Sequence, residues 1–217
     1  DIVADMDRSR RRALRKLEDR DAEVRAEPLE EDVLRETHAD YVANVERAGG
    51  ETFDYEFFAA LAEHLGDRVR IATAVVDGRE VGRYLYLLDE EQSAVHYYFA
   101  AIADEEHFED HPSELLHTET MRWAKEQGYR YYDFGGTGAD FRDGVFRHKD
   151  GYGGEAIPTC QWQKGFSRLG WPAFKAARSV YRQPVAGNRA DDLVAAMSRL
   201  IEDFSRAVSR ELGRLPL

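Results

Sequence analysis

The chain of 217 residues is acidic, and 43% of its residues are hydrophobic, enough for one good core or two small ones. A formal net charge of −12 repels the phosphate backbone of nucleic acid, so we expect no general nucleic-acid binding. The longest apolar stretches, such as Val95 to Ile102, fall short of the roughly 18–20 residues that a bilayer span requires. No short apolar segment follows a basic start. We therefore predict a cytoplasmic protein without a membrane span.

Cysteine and histidine usage argues against a metal centre. Cys160 is the only cysteine, which excludes an intramolecular disulfide and a Cys-pair zinc site and fits a reducing compartment. His107, His111 and His117 are close in sequence, but His111 and His117 lack the i, i+4 spacing of a helical metal pair. We predict surface roles for these histidines and no metal site.

The basic residues are unevenly divided, since 25 of the 30 are arginine. Acidic, lysine-poor surfaces suit proteins that stay hydrated in concentrated salt, so we favour a halophilic source over an acidic interaction surface. This interpretation predicts that the melting temperature rises from low to molar salt, as screening relieves self-repulsion. A melting temperature that stays flat or falls over that range would contradict the halophilic interpretation.

The chain opens with a basic run from Arg8 to Lys16 that carries apolar residues at helical spacing. A solvated helix is favoured over a nucleic-acid arm, because Glu18, Asp19 and Asp21 close the run immediately.

The remaining elements follow from apolar periodicity and turn residues, and Asp77-Gly78 between two β-rich runs is a strong hairpin signal. Their order indicates an α/β (α+β) fold with a central mixed, largely antiparallel sheet, flanking helices and C-terminal helices. In chain order we predict a strand at Ala22–Ala26, helices at Leu29–Ala48 and Tyr55–Leu65, strands at Val69–Val76, Val81–Leu88 and Ala94–Ala101, a helix at Pro112–Gln127, strands at Tyr129–Phe134 and Ile157–Phe166, and two helices within Trp171–Leu212.

A glycine-rich stretch from Gly135 to Gly154 is too long for an ordinary connection, so it predicts a site loop. We expect residues 1–170 to form the main domain and residues 171–217 to form a helical extension packed on it.

Two neighbouring segments carry a specific resemblance. The first reads Tyr131-Tyr132-Asp133-Phe134-Gly135-Gly136, and the second, from Gly144 to Gly154, reads Gly-Val-Phe-Arg-His-Lys-Asp-Gly-Tyr-Gly-Gly. Together they resemble the paired signature of Fem-type peptidyltransferases and their GNAT relatives, a strand ending in Tyr-Asp-Phe-Gly-Gly followed by a Gly-Leu-Tyr-x-Phe-Lys-x-Gly-Phe-Gly-Gly segment. Ser9 to Leu17 also resembles the Arg-rich helix that enters the second, C-terminal domain of those enzymes.

The resemblance implies a GNAT-like N-acyltransferase that moves an aminoacyl or acyl group to an amine of a cell-envelope precursor or a related metabolite. It implies no bound cofactor and a donor such as charged tRNA, with acyl-CoA less favoured. It also implies an upstream GNAT-like domain that this sequence does not include.

Three residues are predicted to be catalytic. The family lysine falls on Lys149, whose charge could face the developing oxyanion of acyl transfer. The preceding family Phe is replaced by His148, a titratable ring that could alter substrate fit or join proton transfer. Asp133 could act as a general base, orient a lysine or cap the following turn, and we favour an orienting or loop-shaping role.

The predicted substrate-binding residues line the same segments. Arg142 and Arg147 could contact a phosphate or carboxylate, whereas the aromatic side chains are more often wall or core residues. The full set is Phe134, Gly135, Gly136, Arg142, Phe146, Arg147 and Tyr152.

Two other functions stay open. GNAT acetyltransferases typically hold the CoA pyrophosphate on a glycine-containing turn before the helix that follows the meander. Here Ala103 to Pro112 contains no glycine and five carboxylates, which disfavours CoA. A catalytically silent binding module is the other alternative, kept open by His148 and by the absent upstream domain.

Overall fold

A computed structural model describes residues 1–138, 140–159, 164, 170–172 and 174–175. Asp1–Ile157 forms one compact unit, and Pro158–Leu217 is grouped as a second one. The predicted strand at Ile157–Phe166, the two tail helices and Cys160 lie largely outside the described residues. The division into residues 1–170 and 171–217 therefore stays a prediction.

The first unit alternates helices with a β-meander. Its helices are α1 (Arg8–Glu18), α2 (Glu31–Arg47), α3 (Tyr55–Leu65), α4 (Pro112–Glu126) and α5 (Gly144–Asp150), and its strands are β1 (Ala22–Glu27), β2 (Val69–Val76), β3 (Arg79–Asp89), β4 (Ala94–Ala101) and β5 (Tyr131–Asp133). Two short 3-10 helices, Gly66–Arg68 and Glu105–Asp110, precede β2 and α4.

The five strands form one sheet in the order β1-β2-β3-β4-β5. Neighbouring strands are antiparallel except β4 and β5, which run parallel. The mixed, largely antiparallel sheet is confirmed, and the hairpin predicted at Asp77-Gly78 joins β2 to β3. The register of β3 and β4 shifts between Leu85 and Tyr86, so β4 carries one extra residue at Tyr98, a β-bulge.

Helices cover both faces of the sheet, because its central strands are apolar on both sides. On one face Leu17 of α1 and Leu116 of α4 pack against β2 and β3. On the other face Tyr41 of α2 and Phe58 of α3 pack against Ile71 and its neighbours. The flanking helices are thereby confirmed as two layers around one central sheet.

Helix α1 departs from the solvated helix predicted for it. The helix begins where Asp7 accepts a hydrogen bond from the Arg10 N–H at 2.8 Å. Arg8 and Arg12 are exposed as expected, but Leu17 is buried and the Arg10 guanidinium turns inward. One face of the basic run is therefore part of the folded unit.

The glycine-rich stretch also differs from the predicted loop, because its middle forms α5. Val145 to Asp150 contains neither glycine nor proline, so nothing in this segment breaks a helix. The Arg147 N–H donates to Asp143 O at 3.1 Å and starts the helical ladder. In the described part of the chain, no helix has the length and apolar character needed to cross a membrane.

Candidate functional site

The predicted site residues meet where β4 and β5 part. The two strands share only three rungs, and the last of them pairs His96 with Asp133. β5 ends there, while β4 continues to Ala101. Among the described residues no strand pairs with this side of β4 beyond His96. We call this opening, bounded by Tyr97 of β4 and the turn after Asp133, the β4–β5 notch.

A tight turn at Gly135 and Gly136 forms one wall of the notch. Asp133 Oδ1 accepts a hydrogen bond from the Gly135 N–H at 2.8 Å, which shapes the turn. Gly135 has φ +73, where a side chain would be strained, and a Cβ there would lie 3.6 Å from the Tyr97 carbonyl oxygen. This geometry agrees with the loop-shaping role favoured for Asp133.

Lys149 reaches the same turn from α5. Its Nζ donates to the carbonyl oxygens of Gly136 at 2.8 Å and Gly135 at 3.2 Å. Burial lowers the pKa of Lys149, and the negative charge of Asp133 partly opposes that shift. A half-buried ammonium is thus held at the notch, directed toward the turn by two backbone acceptors.

Beneath the turn lies a box of aromatic rings centred on His117. The His117 side chain is 1% exposed, so the predicted surface role is wrong for this residue. Its ring lies 4.7 Å from that of Tyr152 and 5.1 Å from that of Phe134, and its Nδ1 lies 2.6 Å from the Tyr132 hydroxyl. Burial and the nearby charges hold the pKa of His117 well below its usual value. His117 is therefore a neutral core histidine.

A buried ion pair joins three helices beside this box. The Arg10 guanidinium of α1 pairs with Glu114 in the first turn of α4, and these side chains are only 15% and 11% exposed. Arg10 Nη2 also donates to His148 of α5, to Nδ1 at 2.8 Å and to the backbone oxygen at 3.2 Å. The guanidinium carbon lies 4.7 Å from the centre of the Tyr152 ring. Arg10 thus fixes α5 against α1 and α4.

The contact with Arg10 determines the protonation state of His148. A guanidinium has five N–H donors, has no acceptor and is always charged, so His148 Nδ1 must accept. The proton of the neutral ring therefore sits on Nε2. Burial, followed by the charge of Arg10, lowers the pKa of His148 to about 4. At neutral pH His148 is a hydrogen-bond donor rather than a base.

The end of the signature segment anchors the site to the chain's first residues. Tyr152 is 4% exposed and stacks on Phe134 with ring centres 5.3 Å apart. Gly153 has φ +80, and a Cβ there would clash with the Asp5 carbonyl oxygen, so only glycine fits. Tyr152 and Phe134 thus pack against each other and against the His117 ring.

Seven of the ten predicted residues come together: Asp133, Phe134, Gly135, Gly136, His148, Lys149 and Tyr152 surround the turn and the aromatic box. The other three do not join them. Arg142 and Arg147 are exposed, and Phe146 packs edge-on against Phe141 with ring centres 4.9 Å apart. The described residues form no cluster of His, Cys, Asp or Glu that could hold a metal ion.

Sequence reasoning missed four residues of the site. Arg10 sits in a basic run and Glu114 in an acidic stretch, so neither stands out. His96 and His117 carry no motif. A usable signal exists only for Arg10, because Arg10 shares one helix face, at i, i+3 and i+7, with the buried positions Ala13 and Leu17.

Acid should weaken folding through His148. Its pKa is about 4 in the folded chain against 6.5 for the free side chain, so unfolding takes up a proton between these values. Stability should therefore fall as the pH drops from about 6.5 toward 4, with His117 acting in the same direction. We expect His148→Phe to make that fall shallower in urea unfolding at pH 7.5 and pH 5. His64→Phe, at an exposed position of α3, should leave the pH dependence unchanged, and an equal effect of both variants would contradict this assignment.

The approach to α4 is acidic. His111, in the left-handed conformation, precedes Pro112, which has no N–H to offer. The Ser113 hydroxyl accepts from the Tyr84 hydroxyl at 2.7 Å, and the Glu114 carboxylate occupies the first turn. Asp110 is buried and paired with Arg20 at 2.7 Å. Four further carboxylates of this junction are exposed: Asp104, Glu105, Glu106 and Glu109.

Comparisons of structure place this architecture among known folds. The crystal structure of FemX superposes with a TM-score of 0.61 at 15% identity, covering 70% of this chain and 55% of FemX. This chain therefore spans little more than half the length of FemX. An aminoglycoside acetyltransferase from an uncultured soil metagenomic sample aligns with a TM-score of 0.46 at 13% identity, over 67% of this chain and 97% of that one.

Sequence comparison identifies the family. No curated protein sequence matches this chain. Residues 4–150 match the family model described as an acetyltransferase (GNAT) domain. That match spans more than half of the chain and includes α1, the whole sheet and the helix that carries Lys149, so the protein belongs to the GNAT family of acyltransferase domains.

Proposed function

We propose that this chain is an N-acyltransferase that transfers an aminoacyl group to an amine of a cell-envelope precursor or a related metabolite, with the reaction at the β4–β5 notch. The observation that carries the proposal is the Lys149 ammonium, held at the notch by the carbonyls of Gly135 and Gly136. The resemblance of the two signature segments to Fem-type enzymes supports the aminoacyl donor.

The notch offers what acyl transfer requires at the carbonyl oxygen. Attack by an amine turns the acyl carbonyl into a tetrahedral oxyanion, which is stabilised by donors held in place before the reaction. An ammonium has three N–H donors, and among the described residues Gly135 and Gly136 accept two from Lys149. The third is available to a substrate oxygen. Partial burial strengthens this interaction, because less water screens the charge.

His148 fits a supporting role in this scheme. Its Nδ1 is occupied by Arg10, so the ring can offer only the Nε2 proton to a ligand. A residue in that state binds an acceptor atom, such as a carbonyl or carboxylate oxygen, and does not remove the proton of the attacking amine. The replacement of the family's Phe by His148 thus adds a hydrogen-bond donor to an aromatic position.

The acidic approach to α4 argues against CoA as the donor. A pyrophosphate at a helix start is held by backbone N–H groups and by the positive end of the helix dipole. Here Pro112 removes one N–H, and Glu114 lies in the first turn of the helix. Exposed carboxylates at Glu105 and Glu106 add repulsion. An aminoacyl ester needs no pyrophosphate site at this position.

Acetyl-CoA should therefore leave the stability of the protein unchanged. A ligand present at about 100 times its dissociation constant adds roughly 2.7 kcal/mol to the free energy of unfolding. We expect no shift in melting temperature with millimolar acetyl-CoA. A clear upward shift, reproduced by desulfo-CoA, would overturn this part of the proposal and favour an acetyl-CoA-dependent enzyme.

Transfer itself is tested by offering the two donors separately. The chain is incubated with tRNA charged with radiolabelled amino acids or with labelled acetyl-CoA, and a lysine-containing peptide serves as the amine acceptor. We expect label in an amide bond from charged tRNA only. Transfer from acetyl-CoA alone would support the rival donor, and transfer from neither would support the silent binding module.

A further inference from the structure

A second histidine lies at the mouth of the notch. His96 and Asp133 form the last rung shared by β4 and β5, so their side chains lie on the same face of the sheet. His96 Nδ1 lies 3.0 Å from Asp133 Oδ2, and the His96 side chain is 33% exposed. The imidazole therefore combines a carboxylate partner with access to solvent.

The partner of His96 determines which nitrogen carries the proton. An ionised carboxylate has only acceptors, so His96 Nδ1 must donate. In the neutral ring the Nε2 lone pair is then available. The nearest acidic group to Nε2 is Asp89 Oδ2 at 4.0 Å, too far for a hydrogen bond. His96 is thus the opposite of His148, whose Nδ1 accepts and whose Nε2 carries the proton.

We propose that His96 is the general base of the acyl transfer and that Asp133 is its positioning residue, an assignment that rests on the function proposed above. A short series of hydrogen bonds connects the base, His96, with the oxyanion donor, Lys149. Asp133 Oδ2 contacts His96 Nδ1, and Asp133 Oδ1 accepts a hydrogen bond from the Gly135 N–H. The carbonyl oxygen of Gly135 in turn accepts a hydrogen bond from Lys149. Asp133 therefore links the His96 imidazole to the turn that holds Lys149.

The reaction then proceeds in two proton transfers. The acceptor amine attacks the acyl carbon, the new C–N bond forms, and His96 Nε2 takes a proton from the amine nitrogen. Lys149 stabilises the oxyanion while the tetrahedral intermediate exists. The intermediate collapses by breaking the bond to the ester oxygen, and the His96 imidazolium returns its proton to that oxygen. Amide and free hydroxyl leave, and both side chains regain their first state.

The charges that face His96 come from three elements. Asp133 of β5 holds Nδ1, and Asp89 of β3 lies on the Nε2 side; both carboxylates attract the imidazolium formed during the reaction. The Lys149 ammonium of α5 interacts with the same Asp133 carboxylate.

Two substitutions test the assignment with separate readouts. His96→Asn keeps an N–H donor for Asp133 but removes the base, so kcat should fall roughly 100-fold. The limb of the pH–rate profile that reports deprotonation of the general base should disappear. His64→Asn, at the exposed end of α3, is the matched control and should change neither readout.

Asp133→Asn provides a readout that does not depend on turnover. The side-chain carbonyl of the introduced asparagine can keep the hydrogen bond from Gly135, but its NH₂ group now donates to His96 Nδ1. The proton of the neutral ring should therefore move from Nδ1 in the wild type to Nε2 in the variant, which ¹⁵N NMR of His96 resolves. With the Nε2 lone pair lost, kcat should fall as far as in His96→Asn.

Each outcome decides one point. A wild-type His96 that carries its proton on Nε2 overturns the inference, and so does an active His96→Asn variant with turnover within about threefold of wild type and an unchanged pH profile. If the wild type transfers label from neither donor, the proposed function is overturned, and the base assignment is overturned with it. Transfer by the wild type, with both variants impaired and the tautomer exchanged, supports the inference.

Discussion

Lys149→Met is expected to lower kcat by about 10²–10³, the scale of losing one oxyanion donor. The variant keeps most of the side-chain volume but removes the charge that Gly135 and Gly136 now hold at the notch. Both carbonyls belong to exposed residues, so water can replace the lost donor and folding should survive. Turnover and KM are measured with the donor identified in the transfer assay.

The division between kcat and KM separates two roles for Lys149. A residue that stabilises only the transition state lowers kcat and kcat/KM together, whereas one that merely shapes the turn for binding raises KM. Lys125→Met, at an exposed position of α4, is the matched control and should leave both constants unchanged. A folded Lys149→Met protein with wild-type kcat would refute the oxyanion role.

Arg10→Met should cost about 3–5 kcal/mol of stability, because it leaves the buried Glu114 carboxylate without its partner. The same change removes the donor to His148 Nδ1 and to the His148 carbonyl, which weakens the attachment of α5 to α1 and α4. Arg12→Met, two residues along the same helix but exposed, should stay within about 0.5 kcal/mol of wild type. Urea unfolding at neutral pH measures both.

A double variant tests whether the cost comes from the unpaired charge. Replacing a buried ion pair by apolar residues of similar volume is often neutral, so Arg10→Met with Glu114→Met should recover much of the stability lost by Arg10→Met alone. Losses that simply add in the double variant would mean that the two side chains act independently. An Arg10→Met variant as stable as Arg12→Met would contradict the pairing itself.

Local patterns were sufficient to predict the layered fold. The bounds of α3, β2 and β4 follow from apolar runs that end at glycine or turn residues, and Asp77-Gly78 marks its hairpin. These signals depend on neighbours in sequence, which is why they can be read without the structure. The same reasoning failed for α5, because two glycine clusters on either side outweighed the helix-compatible residues between them.

Contacts across long sequence separations could not be predicted. Arg10 and Glu114 are 104 positions apart, and an acidic chain offers an arginine many possible partners. His117 follows Leu116 and precedes Thr118, and both neighbours are buried like His117 itself. Helical spacing alone does not distinguish a buried histidine from an exposed one. His96 and Asp133 meet only because β4 and β5 pair in parallel, a register that the sequence does not reveal.

The transfer assay with charged tRNA, carried out on wild type and Lys149→Met together, tests the central claim most directly. Radiolabelled aminoacyl-tRNA and a lysine-containing peptide are mixed with each protein, and labelled amide product is followed over time. We predict product with wild type, a rate lower by about 10²–10³ with Lys149→Met, and no loss with Lys125→Met. Equal product formation by wild type and Lys149→Met, or labelled product from acetyl-CoA but none from charged tRNA, would contradict an aminoacyl transfer centred on the β4–β5 notch.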